Sequence, residues 1–216
     1  MKDVIAIDGP AAAGKSTVAR LVAEKRGYFY LDTGAMYRAA TLQCLCKGVN
    51  IDNEEEVSQI VNNIELKFDN NNRIYLDNED VSFQIRTIPV TANVSKVSSY
   101  KSVRDKMTEL QRRMCDNGKI VMEGRDIGTV VVPDAKYKFF LDASLQERAQ
   151  RRIKDIGNEN MKLDKIVEEI KKRDSFDSNR RLAPLKKAED SIYIDTTSMT
   201  VDMVVNYILN EIEKMG

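Results

Sequence analysis

The chain has 216 residues, 42% of them hydrophobic, with 34 Lys and Arg against 34 Asp and Glu and no His at all. That is ample material for a buried core, in one large domain or in a core carrying inserted pieces. Zero net charge argues against a nucleic-acid partner, which usually shows as a basic excess; no apolar run approaches the ~20 residues that span a bilayer; and imidazole bases, Ser/His triads and His metal sites are excluded.

The chain enters a strand directly after Met1-Lys2-Asp3, which leaves no room for a targeting peptide. That strand, Val4-Ile5-Ala6-Ile7, runs into Gly9-Pro10-Ala11-Ala12-Ala13-Gly14-Lys15-Ser16, and a helix follows from Thr17 to Ala23. Strand, glycine spacing, Lys and Ser together fit a P-loop. Glycines let successive N–H groups converge on one anion, and the helix N-terminus adds partial positive charge. Lys15 is then placed to bridge the outer phosphates of a nucleoside triphosphate, and the Ser16 hydroxyl to ligate Mg²⁺.

After Gly27, Tyr28 to Leu31 reads as a second strand, ending in Asp32-Thr33-Gly34 before a helix through Ala35 to Ala40. Cys44, Cys46 and Cys115 follow no metal-ligand spacing and fit free, packed thiols in a reducing cytoplasm, the expected location. Ile64 to Phe68 and Ile74 to Leu76 alternate apolar with polar residues about Asp69-Asn70-Asn71-Asn72, the pattern of an antiparallel hairpin with one exposed face. Helices are expected from Lys101 to Asn117, from Ser144 to about Ile156, from Asp164 to about Phe176, and from Val201 to Lys214 with Thr200 as cap. Strands are expected over Lys119 to Met122, Tyr137 to Leu141 and Ser191 to Ile194.

Strand and helix alternate at both ends of the chain, so the fold class is α/β, a P-loop core with a parallel sheet flanked by helices and an inserted antiparallel lobe. The expected division is a core of 1–36 and 101–216, with a short helical lid at about 148–160, and an inserted region of 37–100. In such a core the active site lies at the carboxyl ends of the strands, where Asp32-Thr33-Gly34, Glu123-Gly124-Arg125-Asp126 and the loop after Leu141 fall.

The guanine-reading Asn-Lys-x-Asp of regulatory GTPases is absent, and Val121-Met122-Glu123-Gly124 only echoes the acidic strand end of motor ATPases. Small-molecule kinases remain, whose chemistry is mostly positioning and electrostatics and therefore calls for arginines. Arg148 and Arg152 are four apart and share a helix face, and Arg173, Arg180 and Arg181 follow. They form either a solvated basic face paired with Glu168, Glu169 and Asp174, or a lid that closes over a triphosphate.

Gly9 to Thr17, Leu31 to Arg38, Glu123 to Val131 and Arg173 to Pro184 resemble the bacterial cytidylate kinases in order and spacing, over essentially the whole chain. The most specific piece is Gly124-Arg125-Asp126-Ile127-Gly128-Thr129-Val130-Val131. The resemblance implies transfer from ATP to CMP or dCMP with Mg²⁺, in a monomer with no nucleic-acid or membrane partner. It places Gly9, Pro10, Ala11, Ala12, Ala13, Gly14, Lys15, Ser16 and Thr17 on ATP, with Lys15, Arg148 and Arg152 as catalytic groups. Thr33, Arg38 and Arg125 would approach the acceptor's phosphate, with Tyr37 among its contacts. Ser95, Arg104, Asp126 and Arg180 would surround cytosine, and Arg173 with Asp177 would reach the pentose. Asp126 can accept from the exocyclic amine of cytosine, where uracil presents an opposed acceptor; its alternative is an ion pair with Arg125 or Arg180. Asp32 either binds Mg²⁺ through water or caps the next helix. No general base is needed, because the attacking phosphate oxygen is already deprotonated.

Overall fold

Val4, Ile5, Ala6 and Ile7 carry no polar side chain, and all are fully buried in the central strand β1 (Lys2–Asp8). In the computed structural model, which describes residues 2–69, 71–116, 118–157 and 161–215, β1 pairs in parallel with β6 (Ile120–Gly124) and β7 (Ala135–Asp142), and β7 with β8 (Ile192–Asp195). With edge strand β2 (Phe29–Asp32) the five-stranded order is β2-β6-β1-β7-β8. Central strands covered on both faces read as unbroken apolar runs, as residues 4–7 of β1 and 120–122 of β6 do.

The chain divides into two units, Met1–Tyr30 with Gly118–Gly216, and Leu31–Asn117. In the first, α1 (Lys15–Arg26) and α8 (Val201–Met215) contribute Val18, Ala19, Val22, Val204, Val205, Ile208 and Ile212 to one buried cluster with Ile5, Ile7 and Phe139 of the sheet. Each of the Val, Ile and Phe side chains is worth about 1.5–3 kcal/mol when fully buried. Register places Asp8 beside Gly124 and Phe140, so the loop after β1 and the motif after β6 leave the sheet at one edge. Helices α6 (Leu145–Ile156) and α7 (Leu163–Asn179) pack on each other through Ala149, Ile166 and Ile170. Residues 158–160 of the expected lid lie outside the described residues.

In the second unit, α2 (Thr33–Cys46) is the hub against which α3 (Glu54–Val61), α4 (Ile88–Val97) and α5 (Lys101–Met114) pack. The expected hairpin is present as β3 (Leu66–Phe68) and β4 (Ile74–Leu76), with a third antiparallel strand, β5 (Glu79–Asp80). Asp77 and Asn78 both take positive φ, 50° and 71°, as a two-residue hairpin turn requires. Asn70, in the β3–β4 turn, lies outside the described residues.

The structure moves two boundaries of the sequence reading. The units part after Tyr30, and α5 belongs to the second unit rather than to the core, because it packs on α2 and α3. Helix α5 ends at Met114, and Asn117, its expected last residue, lies outside the described residues. Helices α3 and α4 were not expected.

Candidate active site

The loop 9–16 is shaped by Gly9 and Gly14 and by its neighbours. Gly9 has φ 150°, and a Cβ there would lie 2.0 Å from the Leu141 carbonyl oxygen, so the loop leaves β1 in backbone contact with β7. Ala12 and Gly14 take left-handed φ values of 60° and 85°. Helix α1 begins at Lys15 with neither a side-chain cap nor an acidic residue in its first turn. A helix N-terminus of this kind suits an anion.

Lys15 is buried and donates to the Pro10 carbonyl at 2.6 Å. Burial, then the guanidiniums of Arg125 and Arg173, push its ammonium down from 10.5 to about 7, against the opposing pull of Glu123 and Asp8. Ser16 donates to Glu123 Oε2 at 2.9 Å, and the Tyr30 hydroxyl donates to the other oxygen of Glu123. An exposed hydroxyl beside a carboxylate at a strand end suits Mg²⁺, which takes one or two protein oxygens and fills its shell with phosphate and water.

Arg148 is engaged within the protein. It donates through Nε to the Ala143 carbonyl at 3.0 Å, through Nη1 to the Ala11 carbonyl at 3.1 Å, and to Asp174, whose Oδ1 accepts from the Ala11 N–H at 3.1 Å. This pair grips both polar groups of Ala11. Arg151 similarly ties Thr196 at 2.9 and 2.8 Å to the Ala13 carbonyl at 3.5 Å. Arg152 is half-buried and makes no hydrogen bond or ion pair among the described residues.

In the same unit the β6 motif and α7 bring four expected residues together as an alternating chain of charge. Arg125 donates to Asp177 Oδ2 at 3.0 Å, Arg180 Nη1 lies 4.0 Å from Asp177 Oδ1, and Arg180 Nη2 donates to Asp126 Oδ1 at 3.2 Å. Both aspartates are 5% exposed. Arg180 also donates to the Ala183 carbonyl at 2.6 Å. The ion pair considered for Asp126 from the sequence is present.

In the second unit Asp32 caps α2, accepting from Ala35 N–H at 2.8 Å, and its other oxygen pairs with Arg38 at 2.8 Å. Both oxygens are engaged, so of the two roles considered the cap is the one formed. The Arg104 guanidinium lies over the Tyr37 ring, 5.5 Å from its centre, and donates to the Ser98 carbonyl at 3.3 Å. Thr33 is buried and Ser95 half-buried.

Two acidic residues at this site escaped the sequence reading as site groups, Asp8 and Asp174, while Glu123 was placed at a strand end but given no role. Asp8 had a legible signal, a carboxylate at the carboxyl end of a strand. Asp174 had none, since its partners Ala11 and Arg148 lie far away in sequence.

A parallel sheet whose first strand feeds a Lys- and Ser-bearing loop, with clustered guanidiniums beside it, defines a P-loop phosphotransferase. Solved structures agree on the fold. A gluconokinase from Sinorhizobium meliloti superposes with TM-score 0.51 at 12% identity, covering 99% of this chain and 93% of that one. A shikimate kinase from Bacteroides thetaiotaomicron gives 0.51 at 10% identity, covering 99% of each. The family model described as cytidylate kinase matches residues 5–214. The cytidylate kinase of Clostridioides difficile is 50% identical over 97% of both chains, and that of Caldanaerobacter subterraneus 47% over 97% of this chain and 94% of its own. The chain belongs to the cytidylate kinase family.

No helix among the described residues is long and apolar enough to cross a membrane.

Proposed function

We propose that the protein transfers the γ-phosphoryl group of ATP to CMP or dCMP, giving ADP and CDP or dCDP, as a cytoplasmic monomer in pyrimidine nucleotide metabolism. The observation that carries this reading is the buried pair of Asp126 with Arg180. A carboxylate that accepts from an exocyclic amine, beside a guanidinium that donates to a ring nitrogen or carbonyl, is the complement of cytosine. Uracil sets an acceptor against the carboxylate, and an opposed buried polar group costs about 1–3 kcal/mol.

Loop residues 9–17 are assigned to ATP, and Lys15 neutralises charge on the transferring group. Little covalent work falls to the protein, so positioning and fixed charge supply the rate. Arg152 is assigned to the triphosphate from α6. Arg148, with Asp174, acts on the same step by fixing Ala11. Arg125 is assigned to the acceptor's phosphate, Arg173 and Asp177 to its pentose, and Asp126 and Arg180 to its base. Thr33, Tyr37, Arg38, Ser95 and Arg104 are the acceptor groups assigned to the second unit. Mg²⁺ would be held by Ser16 with Glu123 beside it, and supplies charge neutralisation on the β- and γ-phosphates. The α6 segment and the residues after it would serve as the lid that excludes water.

A coupled assay of ADP release with CMP, dCMP, UMP, AMP and shikimate as acceptors tests this. Turnover is expected with CMP and dCMP well above the rest; turnover with shikimate and none with CMP overturns the reading.

A further inference from the structure

Asp8 is given no contact with either nucleotide above, yet it is a carboxylate 5% exposed in the middle of the first unit. Burying such a group is costly unless its oxygens are met. Here both are: Oδ1 accepts from the Ile127 N–H at 2.9 Å, and Oδ2 from the Gly128 N–H at 2.8 Å. These amides open the π-helical turn Ile127–Val131, whose internal bonds begin with Val130 and Val131 donating to the Asp126 carbonyl. The first N–H groups of a turn find no acceptor within it. Asp126, at the cap position, makes no side-chain cap bond. Asp8 therefore does the capping from 119 residues away.

Gly128 leaves room beside this contact without being required for it. A Cβ there would lie 3.2 Å from Lys138 Cδ and 3.5 Å from Asp8 Oδ2. Burial, reinforced by the nearby Asp126 and opposed by the two amides and Lys15, lifts the Asp8 carboxyl to about 6. At neutral pH it is ionised, the form that accepts twice. Asp126 is then fixed on every side: its carbonyl by Val130 and Val131, its carboxylate by Arg180, and the two amides after it by Asp8.

We infer that Asp8 is a positioning residue for base selection, holding the backbone after Asp126 so that the Asp126 carboxylate addresses the amine of cytosine. The inference rests on the proposed CMP kinase activity. It also makes the residue that immediately precedes the ATP loop a determinant of which acceptor is chosen.

The test is the ratio of kcat/KM for CMP to that for UMP in the full chain and in Asp8→Asn, Asp126→Asn and the double variant. Asp8→Asn keeps the size but sets an NH₂ group against one backbone N–H. The expected result is a fall of about tenfold or more in the ratio, carried by KM for CMP, with KM for ATP little changed. The double variant should lose no more than Asp126→Asn alone, since the two act through one contact. An intact ratio with both activities lowered equally, or losses that multiply in the double variant, overturns the inference. Should Asp8→Asn not fold, Asp8→Glu keeps the charge but lengthens the arm by one methylene and displaces both capping oxygens; its ratio is expected to fall, and an unchanged ratio overturns the inference. A wild-type chain without preference for CMP refutes the function itself, a separate result.

Discussion

Lys15 is poised between two protonation states by its surroundings. Desolvation and two neighbouring guanidiniums hold its ammonium near 7, and the Pro10 carbonyl is its hydrogen-bond partner. A polyphosphate laid on the loop reverses that balance, because opposite charge at close range favours the ionised form. Binding of ATP at pH 8 is therefore expected to take up a proton, read as a dependence of calorimetric binding heat on the buffer's ionisation enthalpy. Lys15→Ala should abolish the uptake and lower turnover by about 10²–10³. Uptake unchanged in the variant would remove Lys15 from the phosphate site. The loop that carries Lys15 and Ser16 was legible because its motif is contiguous. The grip of Arg148 and Asp174 on Ala11 was not, because it joins residues 163 apart.

Among elements, the parallel strands and the β3–β4 hairpin were legible from their apolar runs and alternation, but the two-residue strand β5 (Glu79–Asp80), with no apolar residue, was not. The short helices α3 and α4 were not, although Asn53 caps α3 at 3.1 and 3.4 Å and Pro89 lies in the first turn of α4. Their cap signals are local, but each spans too few turns for an apolar period to stand out. The π-helical turn could not be read at all, since its cap comes from another strand. The junction of β1 with the loop allows a sharp comparison. Gly9→Ala drives a Cβ into the Leu141 backbone, which cannot yield as a side-chain tip would. A loss of about 3 kcal/mol is expected in urea unfolding. Gly27→Ala, at φ 64° with nothing within 4 Å, meets only the backbone penalty, about 1 kcal/mol. Equal losses would mean that β7 gives way.

For the whole molecule, Lys15 and Asp8 shape the dependence of stability on pH with opposite slopes. Asp8 binds its proton more tightly folded than unfolded, so its contribution is present below 3.8 and is lost as pH rises through about 6. Lys15 binds its proton less tightly when folded, so its contribution is present above 10.5 and is lost as pH falls through about 7. Between them stability passes through a trough near pH 6–7. Unfolding midpoints of Lys15→Met and wild type are expected to diverge steadily from pH 7 to pH 10, with wild type alone gaining; parallel curves would contradict the burial of a titrating Lys15. At this scale the parallel core and the inserted antiparallel lobe were legible from the change in apolar period. The place of α5 was not, because an amphipathic helix does not say which neighbour it covers.

Helix α7 presents Arg173, Asp174 and Asp177 at spacings that share one face, and Arg180 follows as its C-cap residue. Asp174 is bonded to the loop assigned to ATP, while the other three are assigned to the acceptor. On those assignments, one helix and its cap gauge both nucleotides at once: a tilt that resets the hold on one substrate resets the other, and each nucleotide is expected to find the protein already adjusted by its companion.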